Sequence, residues 1–195
     1  MVANIRGILL AAGSAKRFGS NKLLQALPPG TVDAGMPIAL ASAKHLIGAL
    51  PDSIAVLRPR AQKLGKLLRD AGCNTVVCKN AANGMGTSLA AGIKAASDAD
   101  GWIVALADMP FIRPETIKAI AGALAQGATI AAPSYRGERG HPVGLARRFY
   151  EELISLQGDA GARQVLAQHP DSITTLDVGD PGVLRDIDKP SDLAR

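Results

Sequence analysis

Short apolar runs separated by segments of helical length predict an α/β fold for this 195-residue chain: a Rossmann-like three-layer sandwich around a mostly parallel sheet. Two observations carry that expectation. Gly7–Ala12 and Trp102–Ala107 are apolar almost without interruption, as strands covered on both faces must be. Glycine and proline then punctuate the chain where the pattern changes, at Pro28-Pro29-Gly30, Pro51, Pro59, Gly72, Pro110 and Gly127. At this length the simplest organisation is one domain, residues 1–195, with a single sizeable core. Only 3% of the residues are aromatic, so Ala, Leu, Ile and Val must fill that core.

Gly7–Ala12 is the first strand. Lys22–Ala26 begins a short helix broken at Leu27-Pro28-Pro29-Gly30, and Thr31–Met36 is a polar loop. Pro37 suits the first turn of a helix reaching Leu50, with Ile38, Ala41, His45 and Leu46 near helical spacing. His45 there reads as a surface or core residue rather than a ligand. Ser53–Leu57 is a second strand and Ala61–Ala71 a helix with Leu64, Leu67 and Leu68 inward, stopped by Gly72. Thr75–Cys78 is a short third strand. The small, polar stretch Asn80–Ser88 leads into an alanine-rich helix, Thr87–Ser97. Trp102–Ala107 is the fourth strand, Pro114–Ala125 a helix, and Thr129–Ala132 a fifth strand.

The net charge of +5 favours anionic ligands. No Lys/Arg block or basic patch interleaved with aromatics points to nucleic acid, so nucleotides or phosphorylated small molecules fit better. Cys73 and Cys78 match neither a C-x-x-C pair nor a metal cluster and read as buried reduced thiols in a reducing compartment. No signal-peptide layout and no apolar run of about 18 residues occurs, which predicts a cytoplasmic protein without a membrane partner.

In sheets of this kind ligands collect beyond the carboxyl ends of the strands, and three chemically loaded segments fall there: Gly13–Lys22, Gly84–Ser88 and Asp108. The first is a glycine-bounded loop carrying Lys16, Arg17 and Lys22. Backbone N–H groups of such a loop cradle phosphate oxygens, and the cations neutralise them. It is not a Walker A loop, because Phe18 stands where that pattern needs its second glycine; nor does Gly13-Ser14-Ala15 open a dinucleotide fingerprint. The plain alternative is a strand-to-helix turn with solvated charges. Asp108 leaves a dry strand for the rim, where a carboxylate either caps the next helix or binds Mg²⁺. Mg²⁺ is held by one or two carboxylates plus substrate phosphates, so a second carboxylate is wanted, and Asp186 and Asp188 are the candidates. Ser134–Pro142 is a basic, glycine-punctuated loop, suited to an anionic ligand through Arg136, Arg139 and His141, or else a solvated hairpin. His169 reads as merely exposed.

These motifs carry a resemblance. Leu10-Ala11-Ala12-Gly13 with Arg17, Gly19 and Lys22 is similar to the LAAGxSxRxGxxK loop of the MobA-like nucleotidyltransferases. Within that family the likeness is to molybdenum cofactor cytidylyltransferases. It continues through Gly84–Leu89, Leu106–Pro110, Gly140–Val143, Gly158–Arg163 and Asp186–Pro190, six motifs in order over nearly the whole chain. The resemblance implies a fold of the nucleotide-diphospho-sugar transferase type and an enzyme that joins the NMP unit of an NTP to a phosphorylated acceptor, releasing pyrophosphate. It implies an NTP-binding N-terminal part in which Leu10, Ala11, Ala12 and Gly13 form the nucleotide's bed and Gly84 and Ser88 meet base or ribose. Arg17, Lys22 and Asp108 would be the catalytic set, and Asp108, Asp186 and Asp188 the Mg²⁺ ligands. The C-terminal part would bind molybdopterin cofactor through Arg136, His141 and Arg163. Ala12, where guanylyl relatives have a second glycine, favours CTP. A molybdoenzyme or its maturation chaperone would receive the product. Phe18 in place of methionine and Lys189 in place of threonine depart from the pattern. Guanylyl transfer, transfer to another phosphorylated small molecule, and a non-catalytic cofactor chaperone are the alternatives.

Overall fold

The computed structural model describes residues 3–13 and 22–194. Along the chain come β1 (Ile5–Ala11), α1 (Ile38–Ala49), β2 (Ile54–Leu57), α2 (Gln62–Asp70), β3 (Asn74–Val77), α3 (Met85–Ala95) and β4 (Gly101–Leu106). The second half adds α4 (Pro114–Ala125), β5 (Ile130–Tyr135), β6 (Glu138–Arg139), β7 (Val143–Ala146), α5 (Tyr150–Ser155), α6 (Ala162–Gln168) and β8 (Ile173–Asp177).

The strands form one sheet in the order β3-β2-β1-β4-β7-β5-β6, with β8 pairing with β5. The pairs β3–β2, β2–β1, β1–β4 and β5–β8 are parallel, whereas β7 runs antiparallel to both β4 and β5. Side chains alternate across the pleat and build two cores. Leu9, Ala11, Leu57, Ile103 and Ala105 pack with Leu46 of α1, Leu68 of α2 and Ile117 and Ile120 of α4. Ile8, Val56, Trp102 and Val104 pack with Leu89 and Ile93 of α3, Leu153 of α5 and Val165 of α6. Helices on both faces give the three layers, as the unbroken apolar runs require.

Strands β1–β4 match expectation to within a few residues and α4 matches at both ends, whereas β8, parallel to β5, has no counterpart in the sequence reading. The antiparallel strands do not match, because nothing in their sequence marks them. Glu138 and Arg139 of β6 are both exposed. Gly144 weakens the pattern of β7, although a Cβ there would lie 2.8 Å from Ile120 of α4. The basic stretch Ser134–Pro142, read as a ligand loop or else a hairpin, contains the β5–β6 hairpin, whose two-residue turn, Arg136-Gly137, has positive φ at both positions (53° and 81°), as turns matching strand twist demand. Helix α3 starts at Met85, two residues before the expected Thr87. His169 is not merely exposed: it is half-buried, with Nε2 2.9 Å from Glu152 and its ring 5.0 Å from that of Phe149.

Cys73 and Cys78 are free and buried, as expected. Burial pushes the Cys73 thiol up to about 11. Since the thiolate is the reactive species, Cys73 should stay unalkylated by iodoacetamide at pH 8 in the native protein and react once it is unfolded, as peptide mass mapping would show.

Candidate active site

The carboxyl ends of β1, β2, β3 and β4 border a cavity of about 600 Å³. Leu10, Ala12, Gly13, Gly84, Ser88 and Asp108 line it, so three segments distant in sequence do converge. Ala11 does not line it. Its methyl belongs to the core on the other face of the sheet, because successive residues of a strand point to opposite sides. Arg58, Lys79 and Asp159 also face the cavity and were missed. Arg58 and Lys79 stand just past β2 and β3, where the carboxyl-end rule already pointed. A larger cavity of about 930 Å³, bordered by Leu27–Asp33, His45, Phe111 and Arg113–Glu115, contains none of the expected site residues.

One wall is a close contact between two turns. The Gly86 N–H donates to the Gly158 carbonyl at 2.7 Å. A Cβ on Gly84 would fall 2.3 Å from that same carbonyl, and Gly84 has φ 117°, which L side chains rarely adopt. Gly84→Ala should therefore destabilise the protein by about 2–4 kcal/mol, which a thermal melt would measure.

Asp108 follows β4 and is anchored through its backbone. The Ile187 N–H donates to its carbonyl at 2.9 Å, and the preceding Ala107 carbonyl accepts from Ser42 Oγ at 3.0 Å. That bond from Ile187 draws the C-terminal Asp186-Ile187-Asp188 segment against the end of β4. Lys22, at the start of a short 3₁₀ turn (Lys22–Leu24), is buried, with Nζ 2.9 Å from Asp108 Oδ2 and 3.2 Å from Asp188 Oδ1. Burial alone would lower its pKa, but the hydrogen bonds and charges of Asp108 and Asp188 more than offset that and raise it. Asp186 is shifted upward by desolvation and by the charges of Asp188 and Asp108. The three expected metal carboxylates are thus electrostatically coupled, although among the described residues no three Asp, Glu, His or Cys side chains form a ready cage. Arg17, like Lys16 and Phe18, lies outside the described residues.

The expected acceptor residues divide. His141 is half-buried, its Nδ1 buried with no hydrogen-bond partner among the described residues. Its pKa is lowered by burial, against the charge of Asp108 and with the help of Arg163 and Arg139, which keeps the imidazole neutral at neutral pH. His141 thus feels the opposing charges of Asp108 on one hand and of Arg163 and Arg139 on the other. Arg136 instead sits exposed at the hairpin tip, its guanidinium 5.2 Å from the Tyr135 ring centroid. A hollow of about 390 Å³ lined by Tyr135, Leu184, Arg185 and Asp186 lies on this side. Among the described residues, no helix is long and apolar enough to cross a membrane.

A family model described as the MobA-like NTP transferase domain matches residues 7–173. The purine catabolism protein PucB of Bacillus subtilis is 28% identical over 95% of this chain and 92% of its own. Nicotine blue oxidoreductase of Paenarthrobacter nicotinovorans is 30% identical over 94% of this chain and 92% of its own. The crystal structure of Rv0371c from Mycobacterium tuberculosis, 26% identical, matches 98% of this chain and 97% of that one with a TM-score of 0.81. Rv0371c has also been solved in complex with manganese, with a TM-score of 0.76 to this chain.

Proposed function

Because the chain belongs to the MobA-like NTP transferase family, we propose that it transfers CMP from CTP to the phosphate of molybdopterin cofactor and releases pyrophosphate. The observation that carries this reading is the cavity at the carboxyl ends of the parallel strands. One side is the Leu10–Gly13 bend with the start of α3, and the acidic cluster around Asp108 lies at its edge. A nucleotide laid there would have its base beside Ala12 and its phosphates toward Lys22, with Arg17 added as a second cation by the family resemblance alone. The Ala12 methyl leaves less room for a purine than glycine would, a discrimination of about 1–3 kcal/mol.

The donor set suits a hard divalent cation. Asp108 and Asp188 offer carboxylate oxygens already gathered around one positive charge, and Asp186 is coupled to both. These residues would hold Mg²⁺, whose contribution is to neutralise phosphate charge as pyrophosphate departs. Manganese in Rv0371c supports a divalent ion.

The chain's own groups do the rest. The acceptor phosphate oxygen attacks the α-phosphorus of CTP, the bond to the bridging oxygen breaks, and pyrophosphate leaves with that electron pair. The acceptor is already anionic, so no strong general base is needed; positioning and charge neutralisation carry the reaction. His141, kept neutral by burial and by the charges of Arg163 and Arg139, binds the acceptor rather than exchanging its proton. The product's recipient would be a molybdoenzyme or its maturation chaperone, in the cytoplasm.

Pyrophosphate release should be measured with each of the four NTPs in Mg²⁺, with and without molybdenum cofactor. Turnover with CTP and cofactor together is the expected result. Release with GTP only, or no release with any of the four nucleotides, overturns the proposal.

A further inference from the structure

Lys22 stands where a phosphate-binding lysine is expected, yet its ammonium is engaged elsewhere. Only 9% of the side chain is exposed, and Nζ bridges Asp108 and Asp188, carboxylates that lie 80 residues apart in sequence. Both partners are delivered by main chain that does not depend on the lysine. Ile187 N–H holds the Asp108 carbonyl, and the Asp188 N–H donates to Asp192 Oδ2 at 2.9 Å. Asp186 adds a third carboxylate to the same neighbourhood, its pKa raised partly by the charges of the other two. Without a cation between them these groups would repel one another. Lysine is the residue for a post that must later be vacated: a point charge on a flexible four-carbon stem, with no planar fork to fix it in place.

We propose that Lys22 is a tethered stand-in for the divalent cation, holding Asp108 and Asp188 together as an oxygen pair before metal arrives and then turning its charge to the triphosphate. This rests on the reading of those carboxylates as the metal site. Lys22 thus acts as a positioning residue first and a phosphate ligand second. The same ammonium competes with a metal that arrives alone. It yields readily only when phosphates enter with the metal and offer it another partner, so the site is weak for the bare ion and strong for the metal–nucleotide pair.

The test is a Mn²⁺ titration of the full chain without nucleotide, followed by the EPR signal of free Mn²⁺. Lys22→Met should bind Mn²⁺ about tenfold tighter than the unaltered protein, because a competing charge has gone, while Lys22→Arg, which keeps the charge, should stay within about threefold. A lysine paired with carboxylates that do not bind the metal would not produce tighter binding on its removal. Mn²⁺ affinity unchanged or weakened in Lys22→Met overturns the stand-in role and leaves the metal site standing. Absence of Mn²⁺ binding in all three proteins overturns the metal site and the stand-in role together. Should Lys22→Met fail to fold, the ¹⁵N resonance of the Lys22 ammonium in unaltered protein replaces it: the signal should shift on saturation with Mg²⁺, and an unmoved signal overturns the proposal.

Discussion

Asp108→Asn should lower nucleotidyl transfer by on the order of 10²–10³-fold while the protein folds normally, as expected for loss of one charge at the reacting centre. The substitution is nearly isosteric. The bonds that shape the loop are made by backbone, with Ile187 N–H on the Asp108 carbonyl, Met109 N–H on the Leu106 carbonyl at 3.2 Å and Ala107 N–H on the Leu10 carbonyl at 3.1 Å. The side chain itself meets Lys22 and is about a quarter exposed, so its ion pair adds little to stability once solvent screening is allowed for. Pyrophosphate release paired with a thermal melt separates the two effects. An Asn variant that turns over at the unaltered rate would remove Asp108 from the reaction.

The largest effect on stability is expected at Asp180, a residue with no place in the chemistry. It is 2% exposed and accepts three hydrogen bonds: from the Arg113 N–H at 2.9 Å, the Thr116 hydroxyl at 2.7 Å and the Gly182 N–H at 3.0 Å. It therefore satisfies donors at the start of α4 and ties that helix to the segment leading to Asp186 and Asp188. Asp180→Ala strands two buried donors and a half-buried one. At about 1.5–3 kcal/mol for a hydrogen bond to a charged group, and allowing for partial replacement by water, the loss should be about 4 kcal/mol. In a domain of this size that lowers Tm by roughly 10 °C. Asp180→Asn, which can still accept, should recover part of it. A melt unchanged by the alanine substitution would refute this role.

Asp180 also shows where sequence reading stops. It lies in Val178-Gly179-Asp180-Pro181-Gly182, which looks like any turn, and its partners Arg113 and Thr116 are more than 60 residues away. Lys22 is a similar case. Its sequence context said phosphate, and only the folded chain sets it between Asp108 and Asp188. Ala11 and Ala12 are adjacent and alike on paper, yet one fills a core and the other faces the cavity. The sequence by itself determined the parallel strands β1–β4, since an apolar run between glycines and prolines is a local pattern with a local cause. It also pointed to the segments that border the cavity, because the carboxyl-end rule needs only strand order along the chain. Tertiary structure alone decided the antiparallel strands, whose exposed or glycine-broken sequences have no signature of their own. It alone decided the charge pairing at the site, because electrostatic partners are chosen by distance in space, on which local sequence is silent.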